Sequence, residues 1–286
     1  MTTASLNGFF APDFRWKGRL SGPVGVPADG MVTRGVEVDI ADAGAMQESE
    51  GASEAEFFRR HGFVLLPHVT AVRDWDRETA THYHPEIDRI IRERLFPGRR
   101  VEIQQGPAVL RRGRGTTTPE YANGIHSDGG LGLDEYVHNI GAFANEHAAN
   151  WWRTMYQRPE VAGFVWLDFW RTTNMAGPLE HMPLALCEPA SVEMADAVPI
   201  GLTGIAPEGR ESHHLSLRYN AGQRWYYYPR MTGDELLAFK LAEFWKGRTA
   251  VGNCFHSAFE HPDTPPGAEP RQSCEHRVGV IVLAEA

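Results

Sequence analysis

Cysteine is scarce in this chain. Cys187, Cys254 and Cys274 are the only three among 286 residues, too few and odd in number for a disulfide framework. Free thiols in a reducing compartment, and hence a cytoplasmic protein, are expected. Long apolar runs are missing too. No stretch approaches the ~20 residues that span a bilayer, and the first residues lack the basic start and apolar run of a secretory leader. A soluble protein without a membrane partner is therefore expected. Basic residues are outnumbered, 28 Lys and Arg against 37 Asp and Glu, giving a formal net charge of −9. That balance argues against nucleic acid or an anionic membrane as the main partner, since an acidic face needs a basic patch to meet either. The one dense basic run, Arg111, Arg112 and Arg114, is too short to alter this and reads as a solvated turn. No phosphate-binding glycine loop, internal repeat or strand–helix–strand alternation is visible.

The residues that are present support one large domain over 1–286. Hydrophobic residues make up 42% of the chain and charged residues 23%, enough for a sizeable core in a soluble protein. Residues 1–100 read as mainly helical support. Within them a strand is expected near 36–40, a polar linker over 46–55, a helix end closed by Gly62 with a short buried strand after it, and a helix over 82–95. From 101 onward the texture changes to short strands: 101–103, 108–110, 163–170, 184–187, 214–219, 225–228, 251–259 and 271–283. A loop of glycine and threonine follows Leu110, and a helical insert interrupts the strands at about 134–155. Thr232 and Glu235 have capping-box spacing, which predicts a helix closed by Gly247. Helices leading into many short strands give an α+β fold, a jelly roll or double-stranded β-helix with supporting N-terminal and inserted helices.

The chemistry-bearing residues lie in two places. In the extended stretch 124–130, His126 and Asp128 are two apart and so project to the same side. One imidazole nitrogen and one carboxylate oxygen are two ligands of a 2-His-1-carboxylate facial triad for non-haem iron, which leaves three adjacent positions open. The second place is the C-terminal pair of strands. His256 lies mid-strand in an apolar setting and is the candidate third ligand; His261, at a loop mouth beside Pro262, is its rival. In the last strand Arg271, Ser273, Glu275 and Arg277 share one face, and Gln272, Cys274 and His276 the other. Two guanidiniums on a core strand need anions. Either Glu275 or the tail carboxylate of a bound dicarboxylic acid would serve, and the planar fork of arginine suits a carboxylate. Most other histidines read as structural or exposed: His61 at a helix end, His82 and His84 at a helix start, His138 and His147 on the insert, and His213 and His214 after a charged loop. His181 is a weaker candidate for facing the pocket. The aromatic residues dense after 150, among them Trp166, Trp170, Trp225 and Tyr227, read mainly as sheet packing, with one or two free to line a substrate pocket.

Taken together, these motifs resemble the CmcJ-like family of oxygenases, which includes the hydroxylating component of cephamycin 7α-methoxylation and fungal gibberellin-desaturase-like enzymes. The resemblance runs from about Val101 to Leu283. It is carried by His126 and Asp128; by Trp170 and Arg171 with Gly177, Pro178 and residues 182–192; by Tyr219 and Asn220 with residues 224–229; by Asp234, Glu235 and Lys240; and by residues 256–259 with 271–277. It implies a double-stranded β-helix using Fe(II), 2-oxoglutarate as cosubstrate and O2, with His126, Asp128 and His256 on the metal and the arginine-bearing last strand anchoring the cosubstrate. Arg271 or Arg277, helped by Ser273, would hold the distal carboxylate. The expected activity is oxidation of an unactivated C–H bond in a small molecule of natural-product biosynthesis. An iron oxidase of the same fold without 2-oxoglutarate, and a non-catalytic jelly-roll binding or partner subunit, are the alternatives. A partner enzyme or a homo-oligomer is left open. Asp168 stands where this family commonly has Asn before the Trp-Arg pair, and Glu188 where it has Asp.

Overall fold

The structure, a computed structural model, describes residues 1–24, 33–112, 121–248 and 251–285. Two five-stranded sheets dominate it. The major sheet runs in the order β4 (Phe63–Pro67), β11 (Glu235–Trp245), β6 (Val161–Thr172), β13 (Gln272–Leu283) and β5 (Val101–Arg112), antiparallel throughout. The minor sheet runs β1 (Thr2–Phe10), β3 (Thr33–Asp42), β10 (Trp225–Tyr227), β7 (Leu184–Cys187) and β12 (His256–Ala258). A third, small sheet joins β2 (Leu20–Pro23), β8 (Ala197–Thr203) and β9 (Ser212–Leu217). The two large sheets face each other: Phe239 of β11 lies 5.0 Å from the ring of His256 on β12, and Phe63 of β4 lies 5.6 Å from Tyr226 on β10. This is the expected double-stranded β-helix, with mixed strand and helix content.

The alternation of β13 organises the packing. Its even positions, Cys274, Val278, Val280 and Val282, join the largest core cluster beside Phe57, Phe58, Ile87 and Ile90, which come from α2 (Glu54–His61) and α3 (His84–Ile90). The odd positions begin polar, at Ser273, Glu275 and Arg277, and end apolar. Ile281 and Leu283 pack with Tyr136 and Trp152 of the insert helices α4 (Leu133–Phe143) and α5 (Glu146–Gln157). One strand thus carries a site at one end of a face and a hydrophobic seat at the other. The seat is tight at Gly279, where a Cβ would stand 2.6 Å from Trp152 Cη2. Asn145 caps α5 by accepting the backbone N–H of Ala148 at 2.9 Å, which starts the helix where it can reach that seat.

Several expectations need correction. The helix expected over 232–247 is strand β11. Thr232 N does donate to Glu235 Oε2 at 2.7 Å, so the capping-type turn forms, but residues 236–242 are all buried. A segment buried on both faces gains more between two partner strands, β4 and β6, than a helix with one apolar stripe would. The polar linker at 46–55 is mostly helix α1 (Ala43–Glu50), started by Asp42 accepting from Ala45 N. The two short strands expected at 101–103 and 108–110 are one strand, β5, with its register shifted opposite His276 and Val278. Of the strand expected over 251–259 only β12 is regular. Arg111 and Arg112 are not a solvated turn. They end β5, with Arg111 Nε on Glu275 Oε1 at 3.1 Å and Arg112 Nη2 on Asp76 Oδ2 at 2.7 Å. Arg114 and the glycine- and threonine-rich loop lie outside the described residues. Residues 1–100 supply the expected helices but also β1 to β4. Among the described residues no helix is long and apolar enough to cross a membrane.

Two stability measurements follow from this packing. Gly279→Ala overpacks the insert seat and costs about 1–3 kcal/mol in urea unfolding. His276 is fully buried and donates Nε2–H to Gln105 Oε1 at 2.6 Å; burial first, and the neighbouring His84 second, push its pKa down to about 3 from 6.5. Below pH 6.5 the unfolded chain takes up a proton that the folded chain refuses. This contribution is therefore complete above pH 6.5 and is lost as pH falls towards 3, by up to about 1.4 kcal/mol per pH unit. His276→Asn flattens the acid limb of a plot of thermal midpoint against pH over that window.

Candidate active site

The stretch 124–130 belongs to no regular strand, yet three strands hold it at successive residues. Ile125 N donates to Asn7 O of β1 at 2.8 Å, and Ser127 exchanges hydrogen bonds with Leu215 of β9 at 2.8 and 3.0 Å. Between them His126 and His256 form an antiparallel backbone pair, His126 N to His256 O at 3.2 Å and His256 N to His126 O at 3.0 Å. Alternation does the rest. Ile125 and Ser127 point into the packed interior, where Ser127 Oγ donates to Leu241 O at 3.0 Å and accepts from Asn253 at 3.0 Å. His126 and Asp128 therefore face the other way. The backbone pair sets the imidazoles of His126 and His256 side by side, their centres 4.4 Å apart, and His126 Nε2 lies 3.7 Å from Asp128 Oδ1.

Each histidine has its proton placed by the main chain. His126 Nδ1 donates to Gly124 O at 2.7 Å and His256 Nδ1 to Cys254 O at 3.1 Å. With Nδ1 protonated, the lone pair is on Nε2, the tautomer a metal ligand needs. Burial first, with His126 adding to it, brings His256 down to about 4, so its ring is neutral at physiological pH. Burial alone would push Asp128 up. Arg277 foremost, with His126, His256 and His214, outweighs that and holds the carboxyl well below the usual range. Arg277 Nη2 stands 2.7 Å from Asp128 Oδ2 but off hydrogen-bond alignment, so Oδ2 is buried without a hydrogen bond.

Beyond this pair the charges continue outward. Arg277 Nη2 is 3.5 Å from Glu275 Oε2, and Glu275 is in turn bound by Arg111. Asp168 of β6 pairs in register with Arg277 and accepts the backbone N–H of His276 at 3.0 Å. Burial, aided by Glu275 and Asp128 and opposed by Arg277, pushes Asp168 up to about 8.

Arg271 and Ser273 form a second, separate polar pair. Arg271 is 1% exposed and Ser273 0%. Arg271 Nη1 donates to Met182 O at 2.7 Å, and its guanidinium lies 4.4 Å from the ring of Tyr121 and 5.5 Å from that of Trp170. Burial lowers its pKa to about 10, which leaves it a cation. Among the described residues, Arg271 Nε and Ser273 Oγ are both buried without a partner, as is Arg277 Nε further along the same face. Two orphan donors on one face of one strand, one of them charged, fit a bound carboxylate.

The structure thus brings His126, Asp128, His256 and Arg277 together and puts Arg271 and Ser273 nearby on the same strand face. It turns His261 elsewhere: Nε2 meets Tyr227 Oη at 2.9 Å and Nδ1 accepts Asp263 N at 3.1 Å. His214, expected to be structural or exposed, is instead buried, with Nδ1 3.8 Å from Asp128 Oδ1 and Nε2 2.8 Å from Ser212 Oγ. The missed signal was the alternation of Ser212, His214 and Ser216, a polar face inside an otherwise apolar strand. His181 lies beside the second pair, its Nδ1 3.5 Å from Arg271 N.

Among the described residues no three His, Cys, Asp or Glu side chains already close into a coordination set; the Asp128 carboxylate is held at Arg277 instead. The donor chemistry nevertheless fits a divalent transition metal. Two Nε2 lone pairs and a carboxylate fixed in its ionised form face one another, and the histidine tautomers are set by main-chain carbonyls.

A family model described as an oxidoreductase/YMDC permease-like domain matches residues 19–281. The chain belongs to that family. Aspirochlorine biosynthesis protein N of Aspergillus oryzae is 31% identical over 113 residues, covering 39% of this chain and 45% of that protein. The hydroxylase/desaturase poxK of Penicillium oxalicum is 31% identical over 140 residues, 42% of each chain. The chain spans less than half the length of these curated relatives. Among solved structures, the iron and alpha-ketoglutarate-dependent endoperoxidase NvfI superposes with a TM-score of 0.74 at 19% identity, covering 98% of this chain and 96% of that chain. Another structure of it gives 0.70 at 17%, covering 99% and 97%. At that identity the likeness is one of fold.

The orphan donors set a binding expectation that needs no metal. By titration calorimetry Arg271→Gln weakens the binding of a small dicarboxylate such as succinate about 100-fold, the order of effect of removing one partner of a buried charge pair. Ser273→Ala weakens it about 10-fold.

Proposed function

We propose that this chain is an iron(II)- and 2-oxoglutarate-dependent oxygenase, one domain over 1–286, that oxidises an unactivated C–H bond of a small molecule in natural-product biosynthesis. The observation that carries this is the pairing of two sites on adjoining surfaces. One is a set of two imidazoles and a carboxylate at His126, His256 and Asp128; the other is an unsatisfied carboxylate cradle at Arg271 and Ser273. The first suits the metal and the second the far carboxylate of a chelating dicarboxylic acid. The names of the relatives, a hydroxylase/desaturase and an endoperoxidase dependent on iron and alpha-ketoglutarate, support the same reading. Three free, buried cysteines suit a cytoplasmic setting.

In this reading His126, Asp128 and His256 hold the metal, the two histidines through Nε2 because each Nδ1–H is taken by a main-chain carbonyl. Arg271 is held in place by the bond from its Nη1 to Met182 O. Tyr121 and Trp170 shield the guanidinium from water, so its attraction for a carboxylate is not diluted by a high dielectric. Ser273 supplies the second donor. Iron(II), 2-oxoglutarate and dioxygen together supply the oxidising power, with succinate and carbon dioxide released. What the protein adds is orientation of the C–H bond and exclusion of water.

The test is anaerobic addition of iron(II) and 2-oxoglutarate, read by the visible metal-to-ligand charge-transfer absorption. The band is expected in the wild-type protein, absent in His256→Ala and retained in His261→Ala. Iron bound without any band would point to an oxidase independent of 2-oxoglutarate, and no iron at all would remove the oxygenase reading.

A further inference from the structure

The two oxygens of Asp128 lie in opposite surroundings. Oδ2 has the Arg277 guanidinium at 2.7 Å. Oδ1 faces imidazole nitrogens, His126 Nε2 at 3.7 Å and His214 Nδ1 at 3.8 Å. A guanidinium this close to a metal ligand would repel a divalent cation unless its charge were offset. Glu275 stands 3.5 Å from the same Nη2, and Asp168 lies opposite Arg277 across the β6–β13 pair. Glu275 is itself balanced from outside by Arg111. Glu275 thus offsets part of the charge of Arg277, while Arg277 Nη2 keeps its place against Asp128 Oδ2.

We propose that Arg277 is a positioning residue for the metal-binding carboxylate: it occupies Asp128 Oδ2, so that Asp128 offers a metal only Oδ1. This rests on the reading of His126, Asp128 and His256 as the metal site, and it removes Arg277 from the candidates for cosubstrate binding. A carboxylate confined to one ligating oxygen uses one coordination position rather than two, leaving room for a chelating cosubstrate and dioxygen.

The test uses the purified full chain without iron. Mn(II) affinity is measured by electron paramagnetic resonance, and Co(II) visible absorption reports the number of ligands. Arg277→Met is expected to bind Mn(II) at least ~10-fold more weakly than wild type and to change the Co(II) band envelope. Arg277→Lys, which keeps a cation but loses the fork, is expected to recover part of both. Arg277→Met binding Mn(II) as tightly as wild type or more tightly, with unchanged Co(II) bands, overturns the proposal, because loss of a repelling cation alone gives that result. If Arg277→Met does not fold by circular dichroism, Arg277→Lys decides, and wild-type affinity and bands overturn the proposal. Asp128→Ala separates the two levels. Wild-type Mn(II) binding in Asp128→Ala overturns the metal-site reading and this proposal with it. Loss of binding there, with wild-type behaviour in the Arg277 variants, overturns only the role of Arg277.

Discussion

Two guanidiniums on the buried face of one core strand are the constraint to which the rest of the site answers. β13 lies between β6 and β5, so Arg271 is 1% exposed and Arg277 keeps only 22% of its side chain exposed, and an unpaired charge at Arg271 would cost on the order of several kcal/mol. The two are handled differently. Arg277 Nη2 meets the protein's own carboxylates, Asp128 Oδ2 at 2.7 Å and Glu275 Oε2 at 3.5 Å, although its Nε has no hydrogen-bond partner among the described residues. Arg271 is given one carbonyl and two aromatic rings, with no carboxylate in contact among the described residues. A buried cation with an orphan N–H, on the same strand face as an orphan hydroxyl, leaves a demand that a bound anion would meet.

The histidines are governed by the main chain rather than by charge. The backbone pair of His126 with His256 joins residues 130 positions apart and fixes their rings side by side, while carbonyls two residues upstream fix their tautomers. Neither ring depends on a flexible loop for its aim. The segment that carries His126 and Asp128 is tied to β1, β9 and β12 at once, and Ser127 anchors its reverse side to Leu241. The geometry is therefore preorganised by packing, as an active centre requires if orientation is not to be lost to side-chain entropy.

Much of this was legible in the chain. The alternation that set Arg271, Ser273, Glu275 and Arg277 on one face is a property of any extended strand, and so is the shared direction of His126 and Asp128. The insert at 134–155 was readable as a helical stretch breaking the run of short strands, a local change of pattern that needs no partner to be recognised. The failures have a common cause. Residues 235–245 carry a helix-type start signal, yet they form a strand because neighbours on both edges bury them. His214 was read as structural or exposed because a charged loop precedes it, although it shares a buried strand face with Ser212 and Ser216. Arg111 was taken for solvent because nothing nearby in sequence reveals Glu275.

By itself, then, the sequence determined what depends on local periodicity and residue chemistry. That covers the strand-rich fold with its helical insert, the paired faces of β13, the candidate ligands His126, Asp128 and His256, and the demand of two core-strand arginines for anions. Only the tertiary structure decided which arginine meets which anion, that His256 rather than His261 stands beside His126, and that His214 joins them. Those outcomes rest on contacts between segments distant along the chain. Their distances are set by sheet register and sheet-to-sheet packing, and no local pattern encodes either.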